Sequence, residues 1–262
     1  MTISRTCTLD PVGPLYAIAE KWLSIADVLG WGAAGAFATY ALLHVVGDER
    51  GQFAKLFFIA LMVASLAIGY WVRFDLEPNA DRERRRLLVS SAFGASLAKA
   101  SQVNYYNNDE PPSARRLLFI LLENTFFYPR LLKAQLKGLV LLGAIALICL
   151  AVAIRLGTPE MIELVALLVL FAEFGLGRLI RTYWAMNQFR ALHERVEGVL
   201  QSNLVGFERA ARILFSLAEY EYIKGRAGVR ANAAIFARFN PALSHEWEAY
   251  RERIKASTSS RQ

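Results

Sequence analysis

Four long apolar stretches, residues 23–46, 53–72, 139–154 and 161–180, constrain this chain more than any other feature. A bilayer core of about 30 Å takes about 20 helical residues to cross, and each stretch is near that length. Short turns join them in pairs, so they read as two helical hairpins. Of the 262 residues, 55% are hydrophobic, above the about 45–50% of a soluble domain. The excess lies in these stretches, while residues 73–136 and 181–262 have an ordinary charged composition.

The expected fold is therefore an all-α membrane protein, with four transmembrane helices in two hairpins and a helical cytoplasmic domain. Residues 1–72 hold an N-terminal segment and the first hairpin, and 73–136 a cytoplasmic helical insert. Residues 137–180 hold the second hairpin, and 181–262 a cytoplasmic C-terminal helical region. The first apolar run is too long for a secretory h-region of about 7–15 residues. Two cysteines, Cys7 and Cys149, support no disulfide framework.

Lys and Arg set the orientation. Eleven lie between the hairpins, from Arg73 to Lys137, and fourteen follow from Arg178 onward. The first hairpin loop has Arg50 and Lys55, offset by Asp48 and Glu49, and the second has only Arg155. This asymmetry predicts that both termini and the middle segment are cytoplasmic, with both hairpin loops facing outward. The net charge of +7 follows largely from that topology and is not by itself a nucleic-acid signal.

The first span is rich in Gly and Ala, including Gly32 and Gly35, which lets helices approach closely in lipid. The second is bulky and reads as lipid-facing, ending in the aromatic belt at Tyr70 and Trp71. Residues 15–22 read as an interfacial amphipathic stretch. A helix is expected over 87–102, then a loop, Asn104-Tyr105-Tyr106-Asn107-Asn108-Asp109-Glu110-Pro111-Pro112. Ser113 is placed to cap a helix from Ala114 to Tyr128 that Pro129 interrupts. That helix either lies flat at the membrane or forms the cytoplasmic core. A long helix over 181–224, continuing the fourth span, carries the stripe Phe189, Leu192, Val196, Leu200, Leu204, Phe207, Ala211 and Leu214. Such a stripe can pair copies of the chain. Short helices, one over 244–255, and a disordered tail follow.

No catalytic constellation is visible, and no metal or cofactor is implied. His44, His193 and His245 are scattered and read as surface or interface residues. The chain has no P-loop and no nucleophile elbow. Charges in the spans cost at least about 2.5–3.5 kcal/mol and face protein or water. Asp27 reads as an interface pair with Lys21. Glu173 reads either as a partner of Lys137 or Arg178, or as one of a ring of carboxylates around a pore. Gly32, Gly35, Glu173 and Lys137 are thus the pore or gate candidates. The loop residues Asn104, Tyr105, Tyr106, Asn107 and Asn108, with Arg115 and Arg116, form the ligand-site candidate, because Tyr and Asn stack on bases and bond their edges while arginines take phosphates. Arg84, Arg85 and Arg86 are a second basic set. Alternatively, the asparagines satisfy their own turn and the arginines meet lipid headgroups.

The stretch Ser91-Ala92-Phe93-Gly94-Ala95-Ser96-Leu97-Ala98-Lys99-Ala100, the loop through Pro112, Arg115–Arg116 and the two-plus-two layout resemble bacterial four-helix membrane effectors. These are encoded beside nucleotidyltransferases in anti-phage defence, in CBASS-like and Hailong-type systems. The resemblance implies an oligomeric, tetramer-like inner-membrane pore that depolarises the infected cell. It also implies a gating signal, a nucleotide or single-stranded oligonucleotide made by the partner enzyme. A membrane-anchored scaffold or sensor without conduction is the alternative.

Overall fold

The computed structural model describes residues 12–97, 110–155, 176–229 and 231–259, and all regular structure among them is helical. In order the helices are α1 (Gly13–Val46), α2 (Gly51–Trp71), α3 (Glu77–Phe93), α4 (Ala114–Arg155), α5 (Gly177–Gln201), α6 (Gly206–Ala227) and α7 (Ala233–Ser259). One π-helical turn, Val72–Leu76, joins α2 to α3. The chain divides into two compact units, one with Val12–Arg82 and Gly138–Ile180, the other with Glu83–Lys137 and Arg181–Gln262.

In the first unit α1 and α2 form the expected hairpin. At about 1.5 Å per residue, α1 is about 50 Å long and exceeds a bilayer core. The residues read as an interfacial stretch, 15–22, are its first turns, started by Pro14, whose missing N–H costs nothing there. The helix ends at Gly47, at φ +74°, with its N–H on the Leu43 and His44 carbonyls, a left-handed cap that suits glycine. Asp48 then turns the chain by accepting the Arg50 N–H at 2.8 Å. Ala33, Phe37 and Tyr40 of α1 bury against Phe58 of α2, and the Ser65 hydroxyl donates to the Ala26 carbonyl at 2.6 Å. The most apolar window of α1 is 33% buried and that of α2 only 11%, matching the expected division into a packed and an outward-facing helix.

Two helices among the described residues, Gly13–His44 and Gly51–Phe93, are long and apolar enough to cross a membrane. The third apolar stretch forms the end of α4. The fourth lies outside the described residues except for 176–180.

Three boundaries here differ from expectation, two of them because proline need not end a helix. Pro78 sits in the first turn of α3 and cannot donate to the turn before it. The chain widens into the π turn, with the Glu77 N–H on the Val72 carbonyl, and continues without a break. The helix expected over 87–102 instead ends at Phe93, where Gly94 takes φ +69°. Pro129 lies inside α4, which runs on to Arg155 rather than breaking there. Its neighbouring carbonyls keep partners: the Thr125 hydroxyl lies 2.8 Å from the Leu121 carbonyl, and the Arg130 guanidinium donates to the Phe126 carbonyl at 2.7 Å.

In the second unit the hexad Leu117–Leu122 is fully buried, packed with Phe189, Leu192, Val196 and Leu200 of α5, Tyr220 of α6 and Trp247 of α7. The segment around Leu117 is thus core, not a helix lying flat on a membrane. The single helix expected over 181–224 is two, because the chain breaks after Gln201 and Val205 turns extended before α6. The break shifts the register. Ile213, Ser216, Tyr220 and Ile223 face inward, whereas Phe207 and Leu214 of the expected stripe are exposed. The C-terminal helix starts at Ala233, eleven residues before the expected Ser244, and passes through Pro241.

Candidate functional site

The sequence-derived ligand set divides into three. Asn104, Tyr105, Tyr106, Asn107 and Asn108 lie outside the described residues. Arg115 and Arg116 stand at the foot of their loop. There the Ser113 N–H donates to the Ala92 carbonyl at 2.9 Å, so the two ends of the loop meet. The Ser113 hydroxyl accepts the Arg116 N–H at 3.2 Å, which is the expected cap. Both arginines turn to Glu110: Arg115 is 3.4 Å from its carboxylate, and Arg116 donates to its backbone carbonyl at 3.0 Å.

The third part of the set is committed elsewhere. Arg84 is buried and binds both carboxylate oxygens of Glu221, at 2.7 and 2.9 Å, with Arg85 at 3.6 Å from the same group. Arg86 pairs with Glu83 on its own helix at 2.6 Å. These contacts tie α3 to α6, and the two arginine sets are anchored on different carboxylates.

Among the pore candidates, Glu173 lies outside the described residues. Gly32 marks a close approach, since a Cβ there would stand 3.3 Å from Leu61 Cδ1, whereas Gly35 faces open space. Lys137 is exposed. Asp27 pairs with Arg178, at 3.1 Å, rather than with Lys21.

The site with the richest chemistry was not marked as one in the sequence. A groove of about 490 Å³ in the helical unit is lined by Phe126 and Arg130 of α4, His193 of α5, and His245, Glu246, Ala249, Tyr250 and Arg253 of α7. Its floor is aromatic: Phe126 stacks on Tyr250 at 5.3 Å and meets Trp247 at 5.4 Å. The Arg130 guanidinium lies 3.5 Å from the Phe126 ring centroid and 3.7 Å from Glu246. The cation thus packs on a ring face at the groove wall.

His193, expected at the surface or at an interface, is half-buried between helices, and both ring nitrogens have partners. Nδ1 is 3.0 Å from the Thr125 hydroxyl and Nε2 is 3.0 Å from the Tyr250 hydroxyl. Thr125 spends its proton on the Leu121 or Leu122 carbonyl, so its oxygen accepts from Nδ1–H. In the neutral ring, Nε2 then accepts the Tyr250 O–H. Burial lowers the His193 pKa below its ordinary value, opposed by Glu197 one turn along α5 and aided by Arg130. Burial first, then the Glu197 carboxylate, raises the Tyr250 pKa and keeps the phenol protonated. Burial lowers that of Arg130, which still stays charged near neutrality.

The sequence carried one hint of this site. His193 follows Leu192 in the apolar stripe and has Glu197 at i+4, so it belongs to a helix face that packs. Its partners on α4 and α7 are 68 and 57 residues away, and no local pattern links them. Two arginines, two histidines and one carboxylate over aromatic rings make a site suited to a phosphate-bearing ligand. Among the described residues, no three His, Cys, Asp or Glu side chains gather to hold a metal.

Comparison of the chain with known protein families, with curated proteins and with solved structures gave no match.

Proposed function

We propose that this chain is a membrane effector channel without catalysis of its own, controlled by an anionic, nucleotide-type ligand held in the groove of its helical unit. The observation that carries the proposal is the reach of α4. This one helix contributes Phe126 and Arg130 to the groove and residues 139–154 to the third apolar stretch. A ligand that binds two arrangements of the groove unequally therefore has a direct mechanical route to a membrane segment, and differential affinity is what gating requires.

In the full form of the proposal the four apolar stretches all span, and the helical unit faces the cytoplasm. Copies assemble as a tetramer-like ring, and the ligand comes from a partner nucleotidyltransferase during infection. The basic groove with its aromatic floor favours such a ligand, because arginines take the phosphates and ring faces accept a base.

Purified protein in liposomes should pass ions, and the flux should change when nucleotides or short oligonucleotides reach the helical unit. Replacing both Arg130 and Arg253 with alanine should remove the response and leave the basal flux. Liposomes that stay tight in every condition overturn the channel and favour the scaffold.

A further inference from the structure

His193 sits at a junction where only one of two hydroxyl orientations is possible at a time. We propose that His193 is a proton-operated latch beneath the groove: protonation at Nε2 turns the Tyr250 hydroxyl from His193 to the Glu197 carboxylate and strengthens the hold of Arg130 and Arg253 on a bound anion. The inference rests on the groove being the ligand site.

The argument is one of donors and acceptors. With Nδ1–H given to Thr125, the neutral ring offers a lone pair at Nε2, and the Tyr250 O–H fills it at 3.0 Å. A proton added at Nε2 makes that nitrogen a donor as well. Two donors cannot face each other, so the Tyr250 oxygen must accept from Nε2–H and its own proton must go elsewhere. Glu197 is the acceptor at hand, since its carboxylate is the charged group that acts most strongly on the phenol. Glu197 is itself held in place by the Gln201 amide at 2.9 Å. The proton binds, the hydroxyl swings, and no bond to carbon is made or broken.

Charge then links the latch to the groove. Around the imidazole stand Arg130 on α4 and Glu194 and Glu197 on α5, with Arg190 also near Arg130. On α7, Glu246 and Arg253 line the groove with Tyr250 and the exposed His245. In the neutral state burial disfavours the charged ring. An anion between Arg130 and Arg253 supplies the counter-charge that burial lacks, so anion and proton bind better together than apart. Linkage makes the effect reciprocal: a bound anion raises proton uptake by His193 as much as the proton raises anion affinity. The limit for one coupled proton is about tenfold in affinity per pH unit.

The test uses the full chain in detergent, ¹³C-labelled at histidine, with sulfate as probe because its charge is constant between pH 5 and 8. Sulfate should bind several-fold more tightly at pH 5.5 than at pH 7.5, and should shift the His193 ring titration to higher pH. The His193→Gln variant should bind sulfate with a flat pH profile. Tyr250→Phe removes the oxygen that accepts from Nε2–H, so the profile should move to lower pH. This second variant keeps the test intact if His193→Gln does not fold. A slope that survives His193→Gln and vanishes in His245→Gln overturns the latch. So does flat binding in the unaltered chain that still depends on Arg130. No sulfate binding at any pH, or binding that survives joint replacement of Arg130 and Arg253 with alanine, overturns the groove itself.

Discussion

Arg84 shows how differently two arginines in one short run can behave. It is 7% exposed, bidentate on Glu221 and 5.5 Å from the Tyr220 ring, whereas its neighbour Arg86 is half-exposed and paired only within its own helix. Removing one partner of a buried pair strands the other and costs about 3–5 kcal/mol, while an exposed pair within a helix contributes about 0.3–0.5 kcal/mol. Arg84→Ala should therefore unfold the helical unit at markedly lower urea concentration, and Arg86→Ala should leave the midpoint nearly unchanged. Equal midpoints would show that the Arg84–Glu221 pair is no anchor. His193 adds a dependence on pH whose sign follows from its environment. Its folded pKa is lowered, so below the unfolded value of about 6.5 the unfolded chain binds more protons than the folded one. The stability that the neutral ring contributes is complete above that value and is lost as pH falls from it toward the lower folded pKa. The thermal midpoint without added anion should fall between pH 7 and 5, and should fall less in His193→Gln.

At the scale of elements, what the sequence made legible was local and what it hid was long-range. The Ser113 cap, the α1–α2 turn and the close packing near Gly32 follow from residue types and their immediate neighbours, and the structure contains all three. Helix ends were harder to read. Pro78 and Pro129 have the local signature of a stop, yet the chain widens into a π turn before the first and α4 runs straight through the second. The stripe from Phe189 to Leu214 reads as one period, but the extended Val205 resets it, and periodicity alone cannot reveal a break without a strong turn signal. The groove was hidden because its residues come from three helices distant in sequence. Gly94 gives this scale its own test. It combines a left-handed φ with a Cβ position 3.3 Å from Pro112, where the loop ends meet. Gly94→Ala should cost about 1–2 kcal/mol for the conformation alone, and more if Pro112 cannot yield. Gly35, within α1 and facing open space, should accept alanine at no cost or with a gain below about 1 kcal/mol. Thermal unfolding of the two variants side by side should separate them; similar midpoints would mean that the loop foot is not held as described.

For the whole molecule the proposed function turns on which way the first hairpin would cross a membrane, and the distribution of charge sets the expectation. Translocating Lys or Arg across a bacterial inner membrane is disfavoured, so segments rich in them stay inside. Twenty-five Lys and Arg lie in the two segments 73–137 and 178–262, eleven and fourteen respectively, against two near the first hairpin loop, Arg50 and Lys55, beside two acids. On the proposed function, the turn between α1 and α2 should face outward and α7 the cytoplasm. Single cysteines test this in intact cells once Cys7 and Cys149 are replaced by serine. Glu49→Cys places a thiol in the exposed turn and Glu248→Cys places one on the exposed face of α7. A membrane-impermeant maleimide should label position 49 in intact cells and position 248 only after lysis. The opposite pattern would invert the orientation and expose the groove to the outside, beyond reach of any ligand made in the cell. Labelling of neither position before lysis would mean that the first hairpin does not cross, and the channel proposal would fall with it.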